Sequence, residues 1–136
     1  MRIYGPSGSR NAPIDRNPAR LGLGNVIAQA GGGSTILVTY TVPAGRRAFV
    51  TLWGTGDVTT ALAAGQIGQV QFAVSGQTLN PDLLWDALSA VGTFKSLVVP
   101  GIFVAAGDGV SLTVTLGAGA GVLRATGGLN GYEYDA

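Results

Sequence analysis

The sequence contains no cysteine and no histidine, and Lys95 is its single lysine. Without those side chains there is no zinc finger, iron-sulfur site, thiol nucleophile, Ser-His-Asp triad or imidazole acid-base group, which removes most recurring catalytic constellations. Disulfides are excluded too, so the chain is not a small crosslinked secreted scaffold, and thiol usage says nothing about its redox compartment. Charge is scarce, at 11% of residues against about 25% in an ordinary soluble domain. No apolar run approaches the roughly 20 residues that cross a bilayer, and the opening stretch Met1 to Arg10 has no apolar segment of the secretory kind. Neither a membrane span nor a secretion signal is expected.

What is present is 136 residues, 46% of them apolar, with 23 glycines and a formal charge of +1. A chain of this length buries about 68% of its unfolded surface, enough for one core without metals or crosslinks. A weakly charged surface near neutrality repels its neighbours little, so assembly with partner subunits is expected over a lone monomer. The balance favours a structural or binding role over catalysis.

Residues 1–22 differ from the remainder. Pro6, Pro13 and Pro18 interrupt any ladder, and Arg2, Arg10, Arg16 and Arg20 face one acid, Asp15. Proline fixes φ and removes a donor, so an extended arm is expected, with Ile3, Tyr4, Ile14 and Leu21 as apolar anchors for docking. Residues 23–136 then form the folded domain.

Within that domain the pattern is β. Ser34–Val42 is rich in β-branched residues and ends at the turn Pro43-Ala44-Gly45, after which Arg46–Thr55 begins a second run. Further strands are expected over Gln69–Ser75, Thr93–Val99, Ile102–Ala105, Val110–Leu116, Val122–Thr126 and Gly131–Tyr134, with glycine-containing turns between most of them. Short strands at this spacing indicate a sandwich or barrel. One segment departs from the pattern. Asn80-Pro81-Asp82 carries helix-start signals, and Leu84, Leu88 and Val91 share one helical face, so a short helix over 80–91 is expected to cover an open end of the sandwich. A strand through Leu83–Asp86 is the alternative.

The candidate chemical motifs are weak. Gly22-Leu23-Gly24-Asn25-Val26-Ile27 lacks the third glycine of a dinucleotide fingerprint, and no glycine run is followed by Gly-Lys-Ser/Thr. Gly31–Gly33 and Gly117–Gly121 read as loop glycines supplying positive φ, and no cofactor is expected. Asp82 and Asp86, four apart, fit neither a calcium loop nor a glycosidase cleft and read as solvated helix-end acids. Asp108 between Gly107 and Gly109 reads as hairpin chemistry.

Seven arginines and one lysine are offset by seven acids, without interleaved aromatics, so direct nucleic-acid binding is not expected. The planar arginine fork suits bidentate pairs with carboxylates at a subunit contact, for which Asp86, Glu133 and Asp135 are candidates, or else a solvated role. Trp53, Trp85, Tyr40, Phe49, Phe72, Phe94 and Phe103 fall in apolar runs and read as core. Tyr132 and Tyr134 share one face of a terminal strand as core or contact residues.

Two stretches carry a resemblance: Tyr40-Thr41-Val42-Pro43-Ala44-Gly45-Arg46-Arg47-Ala48 and Val99-Pro100-Gly101-Ile102-Phe103-Val104-Ala105-Ala106-Gly107-Asp108-Gly109-Val110-Ser111-Leu112. They resemble the strand-turn phrases of small jelly-roll virion proteins of tailed bacteriophages, including capsid decoration proteins and some tail-fibre or spike domains. The resemblance implies an all-β, antiparallel jelly-roll-like β-sandwich that assembles through an N-terminal arm and sheet edges, with no catalytic residues. The function it implies is a non-enzymatic capsid decoration (cement) protein that stabilises the particle by binding between capsid subunits.

Its partners would be the major capsid protein and copies of itself, as a homo-oligomer with a trimer favoured, and neither nucleic acid nor membrane. Its location would be the virion, after synthesis in the host cytoplasm. The interface residues expected on this reading are Arg2, Tyr4, Arg10, Arg16, Arg20, Tyr132 and Tyr134. The alternative is a tail-fibre, spike or carbohydrate-recognition sandwich with Trp53 or Trp85 in solvent. A small hydrolase using Asp82 and Asp86 is least favoured.

Overall fold

A computed structural model describes residues 17–79 and 82–136. Nine strands follow in order: β1 (Ala19–Ala30), β2 (Gly33–Thr41), β3 (Arg46–Thr60), β4 (Gly68–Val74), β5 (Gln77–Thr78), β6 (Leu83–Trp85), β7 (Phe94–Val104), β8 (Gly109–Leu116) and β9 (Val122–Asp135). They make two antiparallel sheets. Sheet I has the order β1-β9-β3-β7, and sheet II has the order β2-β8-β4-β5, with β6 also paired to β4. From β1 to β4, and again from β6 to β9, each successive strand lies in the other sheet.

Strict alternation places the core between the sheets. On β3 the inward phase is Ala48, Val50, Leu52, Gly54, Gly56 and Val58, all buried. Opposite it, β4 supplies Val70 and Phe72, and β8 supplies Val110, Leu112, Val114 and Leu116. The two layers interlock by size. A Cβ on Gly54 would fall 2.9 Å from Phe72 Cζ, and one on Gly56 would fall 2.7 Å from Trp85 Cη2. Glycine in sheet I thus makes room for the large side chains of sheet II, at the expense of the usual strand propensity of those positions.

The expected β-sandwich is observed as two packed antiparallel sheets, with several differences in its elements. Ala19–Gly22, assigned to the arm, belong to β1, because they pair with Asn130–Glu133 of β9. Residues 1–16 of the arm, including Arg2, Tyr4, Arg10 and Arg16, lie outside the described residues, as do Asn80 and Pro81.

No helix occurs among the described residues. Residues 83–85 form β6 with Leu83 and Trp85 buried and Leu84 exposed, a period of two enforced by the pairs Gly68↔Trp85 and Val70↔Leu83. Beyond it Asp86 accepts a hydrogen bond from Leu88 N at 2.9 Å in a turn, and Leu88 stands 93% exposed, covering nothing.

The runs expected at 93–99 and 102–105 are one strand, β7. Its Pro100-Gly101 step is absorbed as a bulge, with the register shifting between Val50 and Leu52 and Gly101 at φ 72°. Likewise 122–126 and 131–134 are one strand, β9, whose central glycines are each covered by a neighbouring side chain. A Cβ on Gly128 would meet Trp53 Cε2 at 2.6 Å.

Candidate interaction surface

The carboxylates of the domain are engaged in structural work. Asp82 accepts from Gln69 Nε2 at 3.0 Å, while Asp86 closes its own turn. The helical face expected to unite them does not exist. Asp108 sits in the β7–β8 turn, its N–H bonded to Ala105 O at 3.0 Å and its carbonyl accepting from Val42 N at 2.9 Å. Asp57 and Arg124, opposite each other on β3 and β9, form a two-pronged pair at 3.0 and 3.1 Å. Among the described residues no group of three or more acids could hold a metal ion.

Polar side chains join the sheets at two places among the described residues: Thr35 on β2 donates to Gln29 Oε1 on β1 at 2.6 Å, and a larger cluster centres on Glu133. Tyr40 on β2 donates its hydroxyl to Glu133 Oε2 on β9, and Arg46 on β3 donates Nε to Glu133 Oε1 at 2.8 Å. Arg46 also pairs with Asp135 and donates Nη2 to Asn17 O at 3.0 Å. Burial, reinforced by the hydrogen bond to Glu133, pushes the Tyr40 phenol up to about 12. The Tyr40 hydroxyl and then Arg46 hold the Glu133 carboxyl below its ordinary value. Arg46 is pushed further up by its bonds to Glu133 and Asp135. A phenol held neutral and a carboxylate held ionised form a fastener, with neither a base nor a nucleophile poised near neutral pH. The arginine-carboxylate pairing expected at a subunit contact is therefore found within the chain, with Glu133 and Asp135 as the acids. Asp86 has no arginine partner among the described residues.

The two outer faces differ in chemistry. Sheet II presents mainly hydroxyls and amides, from Ser34, Thr39, Thr41, Gln69, Gln71, Ser111, Thr113 and Thr115, with Ile36 and Leu84 as isolated exposed apolars among them, and Ser34 Oγ and Thr115 Oγ1 lie 2.9 Å apart. Sheet I is aromatic. Its register sets Arg20, Tyr132, Phe49 and Phe103 in one row across β1, β9, β3 and β7. The rings of Phe49 and Phe103 meet at 4.6 Å between centroids, tilted by 50°. Arg20 lies 5.8 Å from the Tyr132 ring centroid and donates to its hydroxyl at 3.5 Å.

Further along the same face, Trp53 lies over Gly128 beside exposed Val98, and beyond them Asp57 pairs across to exposed Phe94. Gly22, Thr51 and Asn130 line the floor of a shallow depression of about 500 Å³ next to the aromatic row. Phe103 is 72% exposed, an arrangement that single scattered surface apolars do not explain.

Of the expected interface residues, Arg20 and Tyr132 are brought together in this row. Tyr134 stands beyond it on β9, opposite Arg47. Phe49, Phe94 and Phe103, expected in the core, are exposed on this face. Trp85 and Phe72 are core as expected, and Tyr40 and Trp53 are half-buried. The outward phase of Phe49 was readable, since Ala48, Val50 and Leu52 claim the inward one. Phe103 was not, because the bulge at Pro100-Gly101 shifts the phase of everything after it.

No protein-family model matches the chain, and no curated protein matches it. Among solved structures it is similar to a chain of infectious bursal disease virus Gx strain, at 12% identity and a TM-score of 0.49, over 88% of this chain and 32% of that one. The Gt strain of the same virus gives 13% identity and a TM-score of 0.37, over 88% and 38%. The chain thus spans about a third of the length of those chains. Likeness at this level assigns neither an activity nor a partner.

Proposed function

We propose that the chain is a non-enzymatic structural module of a virus particle, a jelly roll of the capsid decoration type that binds between capsid subunits. The observation that carries this reading is the aromatic row Tyr132, Phe49 and Phe103 with Val98 and Phe94, exposed on the outer face of a rigid sheet. Such a surface gains free energy by being covered, at about 25 cal/mol per Å² of apolar area removed from water. The sheet orders β1-β9-β3-β7 and β2-β8-β4-β5 support the jelly-roll reading, an architecture shared by viral capsid and lectin domains. Binding is then itself the activity: added contact energy, repeated over a symmetric lattice, raises the resistance of the particle to disruption.

The test is physical association. An antibody raised against the purified chain is expected to label particles banded on a density gradient from the source culture. Particles stripped of the chain are expected to rebind it but not the Phe49→Ser/Phe103→Ser variant, which keeps the inward core intact. A chain found in the soluble fraction and absent from particles would sink the proposal. Glycan binding on an array without particle association would instead favour a carbohydrate-recognition module using the depression beside Tyr132 and Asn130.

A further inference from the structure

The two sheets have four edges between them, and three are closed to further pairing. β5 and β6 are two and three residues long. β2 carries a register shift between Ile36 and Val38. β7 is broken midway by the Pro100-Gly101 bulge and bears Lys95. Short strands, bulges, prolines and lysines are the ordinary guards of a sheet edge.

The fourth edge has none of them. β1 pairs with β9 through twelve consecutive residues without a register shift, and Leu21–Ala30 contains no proline and no charge. Among the described residues no strand bonds to its free side. Asn25 Oδ1 accepts from Val26 N at 2.9 Å, which marks the even-numbered residues as those whose N–H and C=O point off the edge. Leu23 lies on the inward phase and is nonetheless 43% exposed, and Val26 on the outer face is 59% exposed.

We propose that this edge is a homotypic docking site at which β1 of a second copy adds antiparallel about a two-fold axis near Gly24, merging two sheets I into one continuous sheet. The pairing is self-complementary. With the axis at Gly24, Val26 stands opposite Gly22 of the second copy, Leu21 opposite its Ile27, and Arg20 opposite its Ala28. On the outer face large meets small, on the inner face Leu21 and Ile27 meet as an apolar pair, and no like charges are opposed. The outward N–H and C=O groups of even residues face each other, with Val26 N–H exchanging Asn25 Oδ1 for Gly22 O of the second copy. Leu23 acquires a neighbour on its open side. An isologous contact of this kind closes on itself and makes pairs rather than trimers. It deepens the reading above by naming a partner, and rests on that reading only for the expectation that copies of the chain associate.

Because the chain has no cysteine, Gly24→Cys gives a direct test on the full chain. Cα atoms of a hydrogen-bonded antiparallel pair lie about 5.5 Å apart, within the range a disulfide spans. Mild oxidation is expected to produce a covalent dimer, and the control Thr59→Cys is expected to form none. By light scattering behind a sizing column the unmodified chain is expected at twice 13.7 kDa. Val26→Lys, at an exposed site, should halve that mass while leaving the far-ultraviolet circular dichroism spectrum of the folded chain unchanged, and should make the unfolding midpoint independent of protein concentration.

A monomeric or trimeric unmodified chain, or a Val26→Lys variant of unchanged mass, overturns the proposal. So does loss of the dimer on deleting residues 1–16 while Val26→Lys retains it, since that assigns the contact to the arm. Particle association is scored separately: its absence overturns the virion reading and leaves the β1 result standing.

Discussion

At the scale of the residue, the centre of sheet I is built from absences. A Cβ on Gly127 would lie 1.9 Å from Leu112 Cδ2 and 3.3 Å from Trp53 O. The Leu112 methyl can yield in part and the backbone oxygen cannot, so the strain is that of an overpacked core. Gly127→Ala is expected to destabilise by about 2–3 kcal/mol, read as a lowered urea midpoint at unchanged m-value. Adding Leu112→Ala to it should cost less than the sum of the two single changes, because the added methyl occupies space the leucine vacates. Strict additivity would show that Leu112 is not what the methyl strikes. None of this was legible in Gly127-Gly128, which read only as a gap between two strands. Which glycines receive a large side chain depends on the facing sheet, and one-dimensional spacing does not carry that.

At the scale of the element, legibility followed local pattern strength. β4 and β8 alternate cleanly, β2 does so on either side of the bulge that buries both Leu37 and Val38, and all three are bounded by Gly or Pro turns and fall within a residue or two of expectation. β1 is strand by virtue of its partner: Arg20-Leu21-Gly22-Leu23-Gly24-Asn25 has weak intrinsic β preference, and its ladder comes from β9 alone while Leu21 packs on the core. The same override works on β6, where helix-start signals lose to pairing with β4. The loops carry a comparable hidden link at Gln66. Its Oε1 accepts from Ala63 N at 2.9 Å and Gly121 N at 3.0 Å, and its Nε2 donates to Gly117 O at 2.9 Å. It thereby ties the β3–β4 loop to the β8–β9 loop.

Gly31, Gly119 and Gly121 crowd that amide so closely that a Cβ on any of them would fall under 3.0 Å from one of its atoms. Positive φ was the expected reason for these glycines, but Gly31 and Gly121 do not adopt it; close approach to a buried amide is what excludes a side chain there. Gln66→Ala orphans the Ala63 and Gly121 N–H groups, while Gly117 O keeps its bond from Gly32 N at 3.1 Å, and is expected to cost about 3 kcal/mol in chemical denaturation. Gln66→Glu should cost at least as much, since it turns an oxygen toward Gly117 O. A neutral outcome for both would remove the loop tie from the account.

At the scale of the whole molecule, the two layers are fastened by the Tyr40-Glu133-Arg46 cluster, and the composition isolates its titration. With no histidine or cysteine, no side chain has an ordinary pKa between about 5 and about 9. Stability is therefore expected to be flat across that interval. On the acid side, Glu133 is held below its unfolded value of 4.5. The folded state then binds fewer protons than the unfolded chain, so its contribution is present above 4.5 and is lost as pH falls through the folded pKa.

On the alkaline side the sign reverses. Tyr40 is raised from 10.0 to about 12, so its contribution is whole below 10 and is lost as pH climbs toward 12, where the phenol ionises beside a carboxylate. Tyr40→Phe is expected to cost about 1.5 kcal/mol at pH 7 through the lost bond to a charged acceptor, and to flatten the alkaline limb relative to the unmodified chain. Glu133→Gln should flatten the acid limb. Urea midpoints taken across the pH range check both. A slope in the unmodified chain between about pH 6 and 9, or an alkaline limb that survives Tyr40→Phe, would mean that the sheets are fastened by something other than this cluster.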